Sequence, residues 1–383
     1  MAKLIEITGK AISGEWGQDD KDNSGIPVLR TTNFTNNGSI NFDNVVTRKI
    51  KGRNVEKKIL RAGDIIVEKS GGSDKQPVGR VVLFEGTEKR YLFNNFTGLL
   101  RVKDTKKWLS KYVFYSMFSN YKKGGTRKYE NRTTGLHNLK LDDYISKFEV
   151  SEAEILKQKT ICDCLDEISK IAKNKKRQIV DLDQLVQARF VEMFGSYPIN
   201  PKVWDIVRIR DVVKEVKYGT SRPATQAGKY PYLRMNNITY NGELELSDIK
   251  YIDVPKTELS NCTVQYGDVL FNRTNSKELV GKTCVYNQNN MMVLAGFIIR
   301  IRVNERVLPQ FLSTYLNTDF SKKMLAAMCK TAIGQANINA QELQNICIYV
   351  PPIKLQEEFV KFKKQIDKSK LREEKRQNIL LGK

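Results

Sequence analysis

Asp64, Glu68 and Lys69 stand in the stretch Ala62 to Gly72, AGDIIVEKSGG. Two carboxylates and an ammonium in so short a span could hold a divalent metal and steady a developing negative charge. Metal-dependent nucleases place an Asp on one strand and a Glu-x-Lys on the next, so nuclease chemistry is the first reading. Two features count against it. Glu68 and Lys69 are adjacent, not separated by one residue. The chain also carries a second version of the stretch, YGDVLFNRTNS (Tyr266 to Ser276), in which Asn272 stands for Glu68 and Arg273 for Lys69. A carboxylate absent from one of two equivalent places is a poor metal ligand. Both versions keep Gly-Asp, an alternating apolar strand, then a cation and small polar residues. That pattern predicts a turn, a strand and a loop that offers Lys69 or Arg273 to a phosphate. A plain hairpin with a solvated cation fits it equally well.

Other catalytic chemistry has little to draw on. His137 is the only histidine, which excludes Ser-His-Asp or Cys-His catalysis at two sites and a metal centre built from His and Cys. Cys162 and Cys164 are spaced by one residue, which fits no zinc signature. Cys262, Cys284, Cys329 and Cys347 lie mostly in apolar strings and read as reduced core residues of a cytoplasmic protein. An amino-methyltransferase needs an Asn/Asp-Pro-Pro-Tyr-like loop. The only Pro-Pro is Pro351-Pro352, in VPPIK, with no Asn or Asp before it. A Gly-rich loop for a methyl donor is missing as well, since EKSGGSD has no helix after it. The expectation is no catalytic residue, no cofactor and no metal.

The totals point to a polyanion as partner. Lys plus Arg number 65 against 43 acids, a formal charge of +22 on 383 residues. A field of that sign draws phosphates, and nucleic acid fits better than a membrane surface. At 40% hydrophobic and 28% charged the composition is globular, and the length allows two or three domains. The N-terminus lacks the apolar core of a signal peptide, and no run of about 18 apolar residues suggests a membrane span.

The chain repeats itself. IPVLRTTNFTNNGSI (Ile26 to Ile40) aligns with YPYLRMNNITYNGEL (Tyr230 to Leu244), so that Pro27, Leu29, Arg30, Asn33 and Gly38 recur as Pro231, Leu233, Arg234, Asn237 and Gly242. VGRVVLF (Val78 to Phe84) aligns with VGKTCVY (Val280 to Tyr286), and TTGLHNLKLDDY (Thr133 to Tyr144) with AIGQANINAQEL (Ala332 to Leu343). EILKQKTI (Glu154 to Ile161) aligns with PIKLQEEF (Pro352 to Phe359). The order is kept and the offset drifts only from 204 to 198 residues, which chance does not produce.

Each copy has a strand-rich part and a long helix. Short β-branched and aromatic runs (KYIDV, DIIV, RVVLF, GFIIRIRV) alternate with Gly, Asn and Asp turns. One helical segment is predicted in each, Trp108 to Tyr121 and Leu308 to Met328. From Glu152 to Met193 there is no Pro and no Gly. There Ile161, Leu165, Ile168, Ala172, Ile179, Leu182, Val186 and Met193 follow the rhythm of a coiled-coil seam. About 40 residues make a rod of about 60 Å, stopped by Gly195, Pro198 and Pro201. The second helix starts at Ile353 with a weaker seam, Phe359, Phe362, Ile366 and Leu380, and lacks any counterpart of LVQARFVEMFG. Two such helices most simply pack antiparallel, which relates the globular parts by approximate two-fold symmetry. Half-sites read from one face of a duplex lie about 34 Å apart, a spacing that a rigid spacer can set. The fold expected is α+β: two tandem, pseudo-symmetric α/β domains, residues 1–150 and 197–350, each the size of a unit that could recognise one half of a target. Two long helices, 151–196 and 351–383, separate them and form an antiparallel coiled coil.

With these features in order and duplicated, the chain resembles the specificity subunits of type I restriction–modification enzymes over essentially its whole length. The resemblance rests on PYLRMNNI and GDVLFNRTNS…VGK, on TAIGQANI, on VPPIKLQEEF opening one helix and on FVEMFG closing the other. It implies that each recognition domain reads one half of a split double-stranded DNA target. It also implies that the helices act as a ruler and dock two methyltransferase subunits, with restriction subunits joining through those, and that the chain has no chemistry of its own. There are departures. Ser151 and Glu154 stand near the place of Pro351-Pro352, Leu136-His137 replaces Gln335-Ala336, and the second helix stops early. These bear on how alike the two halves are in docking partners.

Candidates for phosphate are cations near loops: Arg30, Lys69, Lys75, Arg80, Lys122, Lys123, Arg127, Lys128 and Arg132 in the first copy, and Arg234, Arg273, Lys277 and Lys282 in the second. Base edges suit Asn33, Asn237, Thr274, Asn275, Gln335 and Asn337. YKKGGTRKYENR (Tyr121 to Arg132) is the strongest single stretch, with five cations, two glycines and two tyrosines, whereas AAMCKTAIGQ in the second copy is nearly uncharged. The two domains are therefore expected to read different half-sites. The alternatives are a stand-alone nucleic-acid-binding protein, or a DNA methyltransferase or nuclease.

Overall fold

The computed structural model describes residues 1–50, 55–74, 76–87, 89–133, 136–225, 227–332 and 335–380. The chain forms two compact units, Met1–Lys170 and Ile171–Lys383.

In the first unit, Ala2–Lys3 pairs antiparallel with Glu149–Val150 and ties the start of the unit to the end of its strand-rich part. The main sheet has the order Ile12–Ser13, Thr97–Leu100, Asp64–Glu68, Val81–Phe84, all antiparallel. Its strand Asp64–Glu68 is buried at every position. Ile65 and Val67 pack with Val113 and Met117 of the helix Ser110–Lys122, whereas Ile66 packs with Leu29 and Phe93 of a second sheet. Covering on both faces explains the unbroken apolar run between Asp64 and Glu68, because neither side of the strand meets water. The second sheet runs Gln18–Asp19, Val46–Lys49, Ile26–Leu29, Leu92–Phe93, with the last pair parallel. A three-stranded sheet of Glu130–Thr133, Leu136–Leu139 and Ser70–Gly72 completes the unit.

The second unit repeats this plan. Asp205–Arg208 pairs with Cys347–Val350. The main sheet runs Val213–Tyr218, Ile298–Val303, Val269–Asn272, Thr283–Val285, and the small sheet Thr274–Asn275, Gln335–Asn337, Lys330–Ala332. Val269 and Phe271 face Phe311 and Leu312, and Leu270 faces Leu233 and Leu294 on the other side. The remaining sheet departs from the plan. It keeps Lys250–Ile252, Tyr230–Leu233 and Met292–Leu294, but its fourth strand, Thr263–Val264, joins the edge opposite to that used by Gln18–Asp19 in the first unit.

Helix boundaries follow local chemistry. The segment read as one helix over Leu308 to Met328 is two helices, Pro309–Leu316 and Asp319–Met328. The break lies at Asn317 and Thr318. The Asn317 amide nitrogen of the side chain donates to the carbonyls of Ser313 and Thr283, and Thr318 Oγ1 accepts from the Ser321 N–H at 3.3 Å as an N-cap. Periodicity cannot register such a break, since the apolar positions of both halves keep the same spacing.

The central helix, Ile155–Phe194, is unbroken for 40 residues, and the C-terminal helix covers Ile353–Leu380. Inside the second unit they run antiparallel. Phe190 meets Phe359 with ring centroids 5.2 Å apart, the Arg189 guanidinium lies over Phe362, Lys370 pairs with Asp183, and Lys175 pairs with Glu373 at 2.6 Å. The expected seam is only partly what is buried. Val186 is covered, and Met193, Ile366 and Ile161 pack against core clusters. Leu165, Ile179, Leu182 and Phe362 are half-buried, and Ile168 is exposed. Phe190 and Phe194, outside the heptad rhythm, are fully buried. Phe311 and Phe359 close on them from two helices, so the covered arc there is wider than a two-helix seam. The side chain of Leu380 lies outside the described residues.

Candidate nucleic-acid interface

The carboxylates that suggested metal chemistry are each held by a guanidinium. Glu68, wholly buried, takes Arg80 Nε at 3.0 Å and Nη2 at 2.7 Å. Asp64 takes Arg101 Nε at 2.7 Å and Nη2 at 2.6 Å, and also accepts the Arg61 N–H. The second pair is duplicated, as Asp268 accepts from Arg302 Nε at 2.8 Å. The first is not: Asn272 and Lys282 replace Glu68 and Arg80, and Lys282 Nζ donates instead to the Met235 carbonyl at 2.9 Å. Arg80 Nη2 makes the same bond to the carbonyl of Thr31, the residue equivalent to Met235. The salt bridge of one copy is thus replaced in the other by an amide and a lysine, and only the bond to the turn carbonyl is kept. Burial lowers the lysine's proton affinity there. Arg80 and Lys282 point their charges inward, to the turn that follows Arg30 or Arg234, and not to the surface.

Asn33 and Asn237 organise that turn. Asn33 Oδ1 accepts the Arg30 N–H at 3.0 Å, and its Nδ2 donates to the Asn41 and Asp43 carbonyls. Asn237 does the same with the Arg234 N–H and the Glu245 and Asp248 carbonyls. Both amides are buried and fully used, which leaves nothing for a base edge. Arg30 reaches the Asn44 carbonyl, and Arg234 reaches both the carbonyl and the carboxylate of Asp248.

The exposed cations gather where the sequence put the most charge. Lys122 and Lys123 close the helix Ser110–Lys122, and Arg127 and Lys128 lie on the short 3-10 turn after Gly124, whose φ is +75°. All four are exposed. Lys122, Lys123, Arg127, Asn36 and Gln76 border an open groove of about 620 Å³. Such a groove of donors with few acceptors fits a phosphate backbone. Tyr121 and Tyr129 belong to the interior and offer no stacking surface. Lys75 and the side chain of Arg132 lie outside the described residues.

In the second unit Lys277 and Gln335 are exposed, Asn275 and Asn337 half-buried, and Thr274 buried. Asn275 Oδ1 accepts the Ser276 N–H and its Nδ2 donates to Asn272. Lys69 and Arg273 are half-buried at the same place in each unit, directly after the strand Asp64–Glu68 or Val269–Asn272.

The geometry also exposes residues that charge and motif did not mark. Gln158 and Gln356 are buried and bind backbone at the root of each helix. Their identity within the aligned strings EILKQKTI and PIKLQEEF was the available signal. Ser13 flanks Lys69 and Tyr218 flanks Arg273, and no motif distinguished either of them. Among the described residues no helix is long and apolar enough to cross a membrane, and no group of three or more His, Cys, Asp or Glu is placed to hold a metal.

Comparison with known proteins agrees with the duplication. The type I restriction modification DNA specificity domain matches residues 2–181 and again 201–381. The chain is 22% identical over 363 residues to the type I restriction enzyme EcoKI specificity subunit of Escherichia coli K12, covering 89% of this chain and 75% of that one. It is 24% identical over 171 residues to the putative type I restriction enzyme MjaX specificity subunit of Methanocaldococcus jannaschii, covering 44% of this chain and 40% of that one. In fold it is similar to the S subunit of a type I restriction–modification system from M. genitalium, with a TM-score of 0.53 at 13% identity over 99% of this chain and 92% of that one. A chain from a study of type I complex assembly and conformational transition gives a TM-score of 0.54 at 14% identity, over 100% and 96%. With the family's domain matched twice, over nearly the whole length, the chain belongs to the DNA specificity family of type I restriction–modification systems.

Proposed function

We propose that this chain is the specificity subunit that directs a type I methyltransferase and restriction complex to a bipartite double-stranded DNA target, without catalysis of its own. In this reading residues 1–150 recognise one half-site and 197–350 the other. Residues 151–196 and 351–383 form the helices that fix the gap and dock two methyltransferase subunits, with restriction subunits joining through those. The observation that carries it is the duplication of one architecture, each copy followed in the chain by its own long helix. Different surface chemistry on a common frame suits two different half-sites. The first unit presents Lys122, Lys123, Arg127 and Lys128, and the stretch Ala326 to Gln335 of the second has Lys330 as its only charge. Exposed cations supply the sequence-independent part of binding, and polar side chains on the loops supply discrimination.

The test is an exchange. Residues 204–349 are replaced by the same region of a relative, and the complex with its methyltransferase subunits is expressed in a host whose methylated bases are then mapped. One half of the methylated motif is expected to change and the other to persist. A change in both halves, or in neither, would count against modular reading. Methylation by the purified chain with only a methyl donor added would show that it is itself an enzyme.

A further inference from the structure

Most half-buried cations of this protein have a carboxylate in hand: Arg80 has Glu68, Arg101 has Asp64, Arg302 has Asp268, and Lys370 has Asp183 and Glu243. Among the described residues Lys69 and Arg273 have none, like Arg30 and Lys282, but unlike those two they are not tied to a turn carbonyl. Lys69 Nζ donates to Ser13 Oγ at 3.3 Å. The Arg273 guanidinium lies 4.8 Å from the Tyr218 ring centre and its Nη2 donates to Asn337 Oδ1 at 3.1 Å. These partners are neutral. Burial pulls the pKa of Lys69 below the ordinary lysine value, with only the charge of Asp142 opposing it. A cation that has given up water without gaining an acid favours the approach of an anion.

The two supports are equivalent positions. Ser13 pairs across the sheet with Gly98, which pairs with Val67; Tyr218 pairs with Ile299, which pairs with Phe271. The backbone around each cation is also the same. The Lys69 N–H donates to the Phe96 carbonyl at 2.8 Å and its carbonyl accepts the Leu139 N–H at 2.8 Å. Arg273 does this with Phe297 at 3.0 Å and Ile338 at 2.9 Å. The two phenylalanines are the further sign. Phe96 is 52% exposed and Phe297 51%, each in the turn that joins two buried strands, Leu92–Phe93 to Thr97–Leu100 and Met292–Leu294 to Ile298–Val303. One exposed phenylalanine is unremarkable. The same one, twice, bonded through its backbone to a cation without an acid, is a shared surface.

We propose that each unit carries a matching DNA-contact element, in which Lys69 or Arg273 binds a backbone phosphate and Phe96 or Phe297 packs on the nucleotide beside it. Ser13 and Tyr218 are the positioning residues. The element rests on the DNA-recognition reading above and assigns it a sequence-independent contact, equal in both halves. The support differs with the cation it serves. A short hydroxyl accepts from a lysine's point charge, whereas a tyrosine ring carries the flat guanidinium and leaves its other N–H groups free.

The experiment measures binding of the complete complex, specificity chain with its methyltransferase subunits, to duplexes with and without its methylated motif, across a salt series. Arg273→Gln is expected to weaken binding on both duplexes alike and to make the slope of log affinity against log salt shallower by about 0.9, the release accompanying one phosphate. Lys69→Gln should do the same, and Arg273→Lys should keep the slope. Tyr218→Leu should lower the slope with the arginine still present, and Tyr218→Phe should keep it. Phe96→Ala and Phe297→Ala should weaken binding on both duplexes without changing the slope. An unchanged slope in Arg273→Gln, a methylation motif altered at one base, or a phenylalanine variant that loses complex assembly but keeps DNA affinity would each overturn the proposal. If the unaltered complex bound neither duplex, the DNA reading itself would have failed.

Discussion

Gln158 and Gln356 make the same three hydrogen bonds in the two halves of the chain. Gln158 Oε1 accepts the Leu109 N–H at 2.9 Å, and its Nε2 donates to the carbonyls of Lys107 and Ala153 at 2.8 and 2.9 Å. Gln356 repeats this with the Leu308 N–H and the carbonyls of Arg306 and Pro351, at 2.8, 3.0 and 2.8 Å. Each amide joins the first turn of a long helix to the loop before the helix that covers the main sheet. Each long helix is thereby fixed to its own strand-rich part by polar geometry as well as by packing.

Replacing either glutamine with leucine keeps the volume and removes the bonds. Three backbone groups, most of them partly buried, then lose their partner, and a group left unpaired costs up to about 1–3 kcal/mol where water cannot reach it. Gln158→Leu and Gln356→Leu should each lower stability by at least about 2 kcal/mol, seen as an earlier urea midpoint. A change within a few tenths of a kcal/mol would mean that water replaces the amide and that the clasp is incidental.

Glu68→Ala should act on folding and not on chemistry. It strands the Arg80 guanidinium, whose side chain is 15% exposed, among the carbonyls of Thr31 and Phe34. Breaking such a pair costs about 3 kcal/mol. The double change Glu68→Asn with Arg80→Lys copies the second unit and should recover part of that loss. Thermal melts of the three variants check this, and a double variant no better than Glu68→Ala would show that the two copies are not interchangeable here.

Alkaline pH should weaken the second unit. Burial pushes the Cys284 thiol up to about 12, from an ordinary value of 9.0. Between those values the unfolded chain has lost the proton that the folded chain keeps. Stability is therefore intact below about pH 9 and falls as pH rises towards 12, by about 1.4 kcal/mol per pH unit for this group. Cys284→Ala should flatten that slope in urea titrations at several alkaline pH values. Cys164, which is exposed, should react with a thiol reagent under native conditions while Cys284 does not. Equal labelling of both would contradict the burial.

Much of this architecture was legible in the sequence because the chain states it twice. Repetition fixed the number of recognition units and showed that Glu68 was not a required acid. Gly and Pro marked where the central helix stops. What failed to show was whatever depends on direction. Arg80 and Lys122 look alike as cations near loops, and only the sheet decides that one faces Glu68 and the other solvent. Asn33 and Asn237 matched the chemistry of base edges but serve their own turns, since an Asx side chain finds local backbone first. The burial of Phe190 and Phe194 needed a third helix, Pro309–Leu316, whose approach no heptad pattern reveals.

The two long helices should set the gap between half-sites. Central helix residues Ile155–Phe194 form one continuous element, with no proline or glycine at which it could bend. Inserting one heptad after Asn174 keeps the face that meets the C-terminal helix in phase, and the pairs of Lys175 with Glu373 and of Asp183 with Lys370 lie beyond the insertion. The helix lengthens by about 10 Å, which is about three base pairs of duplex at 3.4 Å each. With the C-terminal helix extended to match, the preferred gap in the methylated motif should grow by about that amount. The half-site sequences should stay as they are, because no recognition loop is altered. Methylation maps of hosts carrying the native and the extended complex give the comparison. An active extended complex that keeps the native gap would mean that these helices dock partners but do not measure DNA.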